Sequence, residues 1–298
     1  MLMEAMNGNK RQLASIITEA TSLLRQNKIE EPLREARFLM QEINHISISD
    51  QLAKPEILLS STKQIKFLDA VKKRASGVPT AYILGTKGFY GREFFVENTL
   101  IPRPETELLV EAVLELNSTK ENLDILDLCT GSGCIGITIY LELADRFALD
   151  LDLSDISAKA LRTCQKNIEY LVDDHSKIKI YQADLFPSVN KTYDLMVTNP
   201  PYVIKNTLET LEVEVKEFEP HLALDGGQDG LKFYRRIARE IKPFINPDNG
   251  SYLFLEHGIG QRQAIKNIFE NSDLTVVDIV EIDDWQGIDR VLGFLIQI

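Results

Sequence analysis

The chain reads as an α/β protein: a mostly parallel sheet with one antiparallel strand near the carboxyl terminus, preceded by a small all-helical domain. Three observations lead there. Beyond Asn122, short apolar runs alternate with helical stretches, the order that parallel strands with crossover helices produce. Between Gln12 and Arg74 glycine is absent and apolar residues recur at the helical period. Immediately after the first apolar run of the alternating region comes a glycine-rich turn, Thr130-Gly131-Ser132-Gly133, as in a Rossmann-like sheet.

Taken in order, Leu33, Ala36, Met40 and Ile43 form one apolar stripe with charges on the other face, so residues 1–84 are expected to be a helical domain. At Gly77-Val78-Pro79 the texture changes, and Phe89 to Val96 alternates aromatic and polar residues around Gly91 as a hairpin does. That sets a boundary near Gly85, with residues 85–298 as hairpin connector and main domain. Pro102 to Glu107 lead into Leu109, Ala112, Val113 and Leu116, a helical stripe whose first turn carries Pro and Glu. Strands are expected at Leu123–Leu128, Leu149–Leu153, Ile178–Tyr181, Leu195–Thr198 and Tyr252–Leu255. Helices are expected up to about Arg146, through Ala158–Tyr170 and near Leu231–Ile241. Val276–Ile282 and Arg290–Ile296 are spaced for a hairpin, which puts one antiparallel strand at an otherwise parallel edge.

With 298 residues and 44% hydrophobic content the chain can bury a sizeable core. It has no apolar run long enough to span a membrane, and Met1 to Arg11 lacks the apolar stretch of a secretory signal, so a cytoplasmic protein without membrane partners is expected. Cys129, Cys134 and Cys164 lack C-x-x-C spacing, which argues against a disulfide framework and against a metal site. A net charge of -12 argues against a nucleic-acid surface, which needs clustered Lys and Arg to displace counterions.

Gly131, Gly133 and Gly136 satisfy G-x-G-x-x-G between a strand and a helix: a tight turn, close backbone approach to a ligand, and tight helix packing. The next strand ends at Asp155, 24 positions after Gly131, where a carboxylate accepts hydrogen bonds from ribose hydroxyls. A third strand ends at Asp184-Leu185. There the acid can accept from an adenine amine and the leucine cover the ring; the competing use of Asp184 is a helix N-cap. A dinucleotide and S-adenosylmethionine both fit. Hydride transfer to or from a hydroxyl substrate needs a proton donor or acceptor, and His45, His175, His221 and His257 form no pattern that supplies one. Methyl transfer needs none. Cys129 and Cys134, without a paired base, read as space fillers, and His257 as a structural histidine.

The most informative segment is Asn199-Pro200-Pro201-Tyr202, which ends an apolar strand run. Pro201 has no N–H, and residues before proline are pushed to extended geometry, so Asn199 and Pro200 should leave the sheet with carbonyls outward. Such a cleft suits a planar –NH₂ group: the Asn199 side-chain oxygen and the Pro200 carbonyl take its two hydrogens, and the Tyr202 ring lies against its face.

With these motifs, and with Gly77-Val78-Pro79-Thr80-Ala81-Tyr82-Ile83-Leu84-Gly85, Arg103-Pro104-Glu105-Thr106-Glu107, Asp155-Ile156-Ser157 and Leu224-Asp225-Gly226-Gly227-Gln228-Asp229-Gly230-Leu231, the chain resembles the release factor glutamine methyltransferases, the PrmC/HemK family, over essentially its whole length. That resemblance implies a class I S-adenosylmethionine-dependent methyltransferase domain behind a helical substrate-recognition domain. It implies N5-methylation of the glutamine in the Gly-Gly-Gln loop of class I peptide-chain release factors, with no direct nucleic-acid partner and a monomeric enzyme. It places Cys129, Thr130, Gly131, Ser132, Gly133, Asp155, Asp184, Leu185 and Asn199 at the cofactor; Asn199, Pro200, Pro201, Tyr202, Arg103 and Glu105 at the substrate; and Asn199, Pro200 and Tyr202 in catalysis. Members commonly have glycine where this chain has Cys129, a side chain tolerable there if φ is negative. Gly226-Gly227-Gln228 repeats the substrate tripeptide, which reads as coincidence. The alternatives are a nucleic-acid amino methyltransferase of the adenine-N6 type, which shares the Asn-Pro-Pro-Tyr cleft, and a non-catalytic interaction module.

Overall fold

The computed structural model describes residues 10–116 and 120–298. Most of the amino-terminal stretch considered for an export signal lies outside the described residues. The chain divides into two compact units: one runs up to Gly85 and includes Val213–Phe218, the other comprises Thr86–Glu212 and Glu219–Ile298.

The first unit is built on helices Leu13–Gln26, Pro32–Asn44 and Ser61–Ala75. They bury Leu13, Ile16, Leu24, Leu39, Met40, Phe67 and Val71 against one another. Leu33, expected on the apolar stripe, is instead 44% exposed. It sits in the first turn at the stripe's edge, and Leu39 takes its place in the core. A buried Arg74 organises the polar side of this unit: its guanidinium pairs with Glu35 at 2.8 Å and with Glu214, and the Thr80 hydroxyl also donates to Glu35. The helix Val213–Phe218, far along the chain, is thereby held in this unit. Gly77, at φ +94°, leaves room for the Phe218 ring 3.3 Å from where a Cβ would stand.

The second unit contains a seven-stranded sheet. In chain order its strands are β1 (Asn122–Leu128), β2 (Ala148–Asp155), β3 (Ile178–Gln182), β4 (Leu195–Thr198), β5 (Ser251–Glu256), β6 (Thr275–Asp283) and β7 (Asp289–Gln297). They lie in the order β6-β7-β5-β4-β1-β2-β3. Strands β1 to β5 pair in parallel, and β7 runs antiparallel to both its neighbours. The single antiparallel strand is therefore inserted between β5 and β6, one place in from the expected edge. Composition explains it: Leu292, Phe294 and Ile296 of β7 are fully buried, whereas the edge strand β6 carries Asp278, Glu281 and Asp283. Such charges blunt an edge against further pairing.

A helix at Arg262–Glu270 was not expected from the sequence; its only buried residues, Ile265 and Phe269, make a faint stripe. The hairpin Thr86–Phe89 and Arg92–Phe95 turns on Tyr90 and Gly91 at φ 47° and 72°, the positive angles that a two-residue turn of this hand demands. Asn167 ties it to the glycine-rich turn, accepting from Phe95 N at 2.7 Å and donating to Ser132 O at 2.8 Å. The strand order changes direction around β1, where β2 lies on one side and β4 on the other, and ligands bind at the carboxyl ends of strands there.

Replacing Arg74 by Met leaves two carboxylates facing each other without a cation. We expect a loss of about 2 kcal/mol in urea unfolding, less than a fully buried pair would cost because Glu214 is partly exposed.

Candidate active site

At the carboxyl ends of β1 to β4 lies a cavity of about 190 Å³. Its wall contains Cys129, Gly131, Asp155, Asp184, Leu185, Asn199 and Pro201, seven positions singled out in the sequence. Thr130, Ser132, Gly133, Pro200 and Tyr202 are not among the residues of that wall. Thr130 is buried and donates its hydroxyl to Asp127 Oδ2 at 2.6 Å, and Gly136 N donates to the same oxygen at 3.1 Å. Asp127 thus pins both ends of the glycine turn. Its carboxyl is fully buried, with Oδ1 unpartnered among the described residues, and burial pushes its pKa up to about 7. At Gly131, φ is +57° and a Cβ would meet nothing nearer than Cys129 O at 4.0 Å, so its backbone is open to a ligand. At Gly136 a Cβ would come within 2.6 Å of Leu153 and 2.9 Å of Asp127, so that glycine serves helix-to-strand packing.

Asp155 accepts from Gly131 N at 2.9 Å and Ser157 N at 2.8 Å, one bond per oxygen. Each oxygen keeps acceptor capacity for a hydroxyl, although burial raises the carboxyl's pKa. Asp184 starts no helix, so the N-cap alternative falls away. It pairs instead with Arg236 at 2.7 Å. Burial raises the thiol pKa of Cys129, Cys134 and Cys164, which leaves them protonated and unreactive. His257 is fully buried with Nδ1 3.0 Å from Gly258 O, and burial lowers its pKa.

Beyond Thr198 the chain leaves the sheet. Among the described residues no donor reaches the Asn199 Oδ1 or the Pro200 carbonyl. The Asn199 Nδ2 lies 3.4 Å from Thr106 Oγ1. Tyr202 turns its hydroxyl inward to Glu256 Oε1 at 3.3 Å, and its carbonyl accepts from Gln261 Nε2 at 3.0 Å. Strand, glycine turn, acid at the next strand end and unsatisfied acceptors after β4 form one continuous site.

Residues 15–85 match the PrmC N-terminal domain, and residues 104–226 match the Methyltransferase small domain. The release factor glutamine methyltransferase of Agrobacterium fabrum is 34% identical over 292 residues, which cover 96% of this chain and 98% of that protein. The chain belongs to the release factor glutamine methyltransferase family. It is accordingly an enzyme, a protein-glutamine methyltransferase. The release factor glutamine methyltransferase of Thermodesulfovibrio yellowstonii is 36% identical over 271 residues, with 89% and 93% of the two chains covered. Among solved structures, the catalytic domain of hMettl16 in complex with MAT2A 3′UTR hairpin 6 has a TM-score of 0.53 at 13% identity, over 86% of this chain and 91% of that one. At that identity the likeness concerns the fold alone.

The family's selective motifs now have physical reasons. In Arg103 to Glu107, Arg103 pairs with the buried Glu219, Thr106 receives the Asn199 amide, and Glu107 accepts from Tyr90 N at 2.7 Å. Arg103 is thus engaged with Glu219 and Glu105 is half-buried outside the cavity wall. The motif braces the site from behind. In the segment from Leu224 to Leu231, Gly226 is in van der Waals contact with the Asn-Pro-Pro-Tyr backbone: a Cβ there would lie 2.7 Å from Tyr202 Cα. Gly226 N also donates to Val203 O at 2.9 Å. Close packing accounts for Gly226, and a left-handed φ of +89° for Gly227, the two glycines that precede Gln228. Cys129 departs from the expectation: its φ is +57°, not negative, so this chain holds a side chain in the left-handed region that family members give to glycine. Sequence reasoning missed Thr106, Glu256 and Gln261 behind the cleft, and Asn98, Phe233 and Arg236 in the cavity wall. Of these, Glu256, at the end of an apolar strand, and Thr106, inside the Arg103 to Glu107 motif, carried a signal.

Three outcomes follow from these contacts. Cys129→Gly should raise Tm by about 2 °C in a thermal melt, since relief of the left-handed strain, about 1–2 kcal/mol, exceeds glycine's added entropy cost of about 0.5–1 kcal/mol. Gly226→Ala should lower kcat at least about tenfold in a methyl-transfer assay by displacing Tyr202, whereas Gln228→Ala should stay within about twofold of wild type, as a surface position does.

Proposed function

We propose that this chain transfers a methyl group from S-adenosylmethionine to the side-chain N5 of the glutamine in the Gly-Gly-Gln loop of class I peptide-chain release factors, acting as a monomer in the cytoplasm. The observation that carries the reading is the pair of acceptors after β4, the Asn199 Oδ1 and the Pro200 carbonyl. Among the described residues no donor reaches them, and Asn199 and Pro201 on either side of Pro200 line the cavity. An –NH₂ group satisfies them, and a glutamine side chain brings one.

The cavity suits the cofactor. Gly131 offers open backbone, Asp155 has lone pairs to spare, and Leu185 gives an apolar face. We assign Cys129, Gly131, Asp155, Asp184, Leu185 and Asn199 to holding it, with Thr130, Ser132 and Gly133 shaping the turn. Bound there, the cofactor supplies an electrophilic sulfonium methyl group. The helical unit up to residue 84 is assigned to recognition of the release factor, whose family-wide partner role supports the assignment.

An amide nitrogen is a poor nucleophile because its lone pair is delocalised into the carbonyl. Among the described residues of the site, none can fully deprotonate it at neutral pH. Catalysis then falls to placement and electrostatics: the Asn199 and Pro200 oxygens hold the amide in line and stabilise positive charge that grows on its nitrogen. The same oxygens repel a carboxylate, which brings lone pairs to lone pairs.

Asn199→Ala should lower kcat at least about tenfold, against the roughly 10²–10³ of a removed oxyanion-hole donor. A release factor with Glu in place of the loop glutamine should accept no methyl group, and duplex DNA should accept none either. Transfer to adenine at a comparable rate would favour the nucleic-acid reading.

A further inference from the structure

We propose that Glu256 is a positioning residue that fixes which end of the Asn199 carboxamide faces the cleft, and thereby sets the choice of a carboxamide over a carboxylate substrate. The inference rests on the glutamine reading above and adds a residue to it.

The two ends of a carboxamide are nearly identical in shape, so only hydrogen-bond partners decide its orientation. Asn199 Nδ2 lies 3.4 Å from Thr106 Oγ1. A hydroxyl can donate or accept, and so leaves the orientation undecided. Glu256 ends β5, is 3% exposed, and presents its carboxylate to the side chains of Thr106, Tyr202 and Asn199. Tyr202 satisfies Oε1 at 3.3 Å, while Oε2 is buried with no hydrogen bond among the described residues. An ionised carboxylate only accepts. It therefore favours donors turned towards it, the Thr106 hydroxyl and the Asn199 –NH₂, and leaves the Asn199 oxygen facing outward.

The groups around Glu256 leave it as the one that switches near neutrality. Burial raises the phenols of Tyr202 and Tyr234 and the Cys134 thiol, the last to about 12, so all three stay neutral. His257 next to it is lowered by burial and is uncharged at neutral pH. Arg290 is paired with Asp284 at 3.0 Å. Burial pushes Glu256 itself up to about 7. Above that pH it is ionised and accepts. Below it, the carboxylic acid can donate to the Asn199 oxygen and turn the –NH₂ outward, against the substrate's own.

The test compares wild type, Glu256→Gln and Glu256→Asp on release factors carrying Gln or Glu in the loop. It follows kcat and KM from pH 6 to 8.5, the binding of both factors, and a thermal melt as a check on folding. Wild-type kcat should rise through about pH 7 to a plateau. In Glu256→Gln, kcat should fall at least about tenfold and lose its pH dependence, while the variant keeps a single cooperative melt. Its binding preference for the Gln factor over the Glu factor should shrink at least about tenfold, because a flipped Asn199 offers donors to a carboxylate; Glu256→Asp should keep that preference. A Glu256→Gln enzyme with wild-type kcat and selectivity overturns the inference alone. So does a wild-type kcat flat between pH 6 and 8, a result that needs no variant to fold. A wild type inactive on the Gln factor overturns the substrate reading and this inference with it.

Discussion

The rest of the site depends on two consecutive prolines at the end of β4. Pro200 and Pro201 carry no N–H, so the ladder that β4 shares with β1 and β5 cannot continue past Thr198. The backbone must leave the sheet where its neighbours end, and it does so with oxygens that no donor among the described residues satisfies. Unpaired acceptors cost free energy if buried. Here they stand beside a cavity, where a ligand can meet them.

Holding such a turn in place takes support from several elements, and the support is mostly polar. Thr106 lies behind Asn199, Gln261 holds the Tyr202 carbonyl, and Gly226 packs against the Tyr202 backbone. Two buried carboxyls, Asp127 and Glu256, stand at the ends of β1 and β5, one under the glycine turn and one under the Asn-Pro-Pro-Tyr turn. Burial raises both to about 7, so each disfavours the folded state as pH rises from its ordinary value through 7. Neither gains from being there on its own account. Each supplies acceptors that a local backbone geometry needs, and stability is given up for precision at the site.

Much of this was legible in the residues. The alternation of strands and helices, the glycine turn, and Asp155 and Asp184 at strand ends all follow from local patterns, and the structure brings those positions to one cavity wall. What stayed hidden was tertiary. Nothing local says that β7 inserts between β5 and β6, though the contrast between Leu292-Gly293-Phe294 and the charged β6 hints at it. Leu33 fits a helical stripe by spacing, but spacing does not say which turn a neighbour covers. Thr106 and Gln261 are ordinary polar residues whose partners lie 93 and 59 positions away. The left-handed φ of Cys129 is likewise invisible in a cysteine, because side chains rarely adopt it.

The most direct measurement is a crystal structure with S-adenosylhomocysteine and a Gly-Gly-Gln peptide bound. The account requires the glutamine nitrogen within about 3.2 Å of both the Asn199 Oδ1 and the Pro200 carbonyl, in line with the cofactor sulfur. A glutamine bound elsewhere, or those two oxygens turned away from it, would contradict the account.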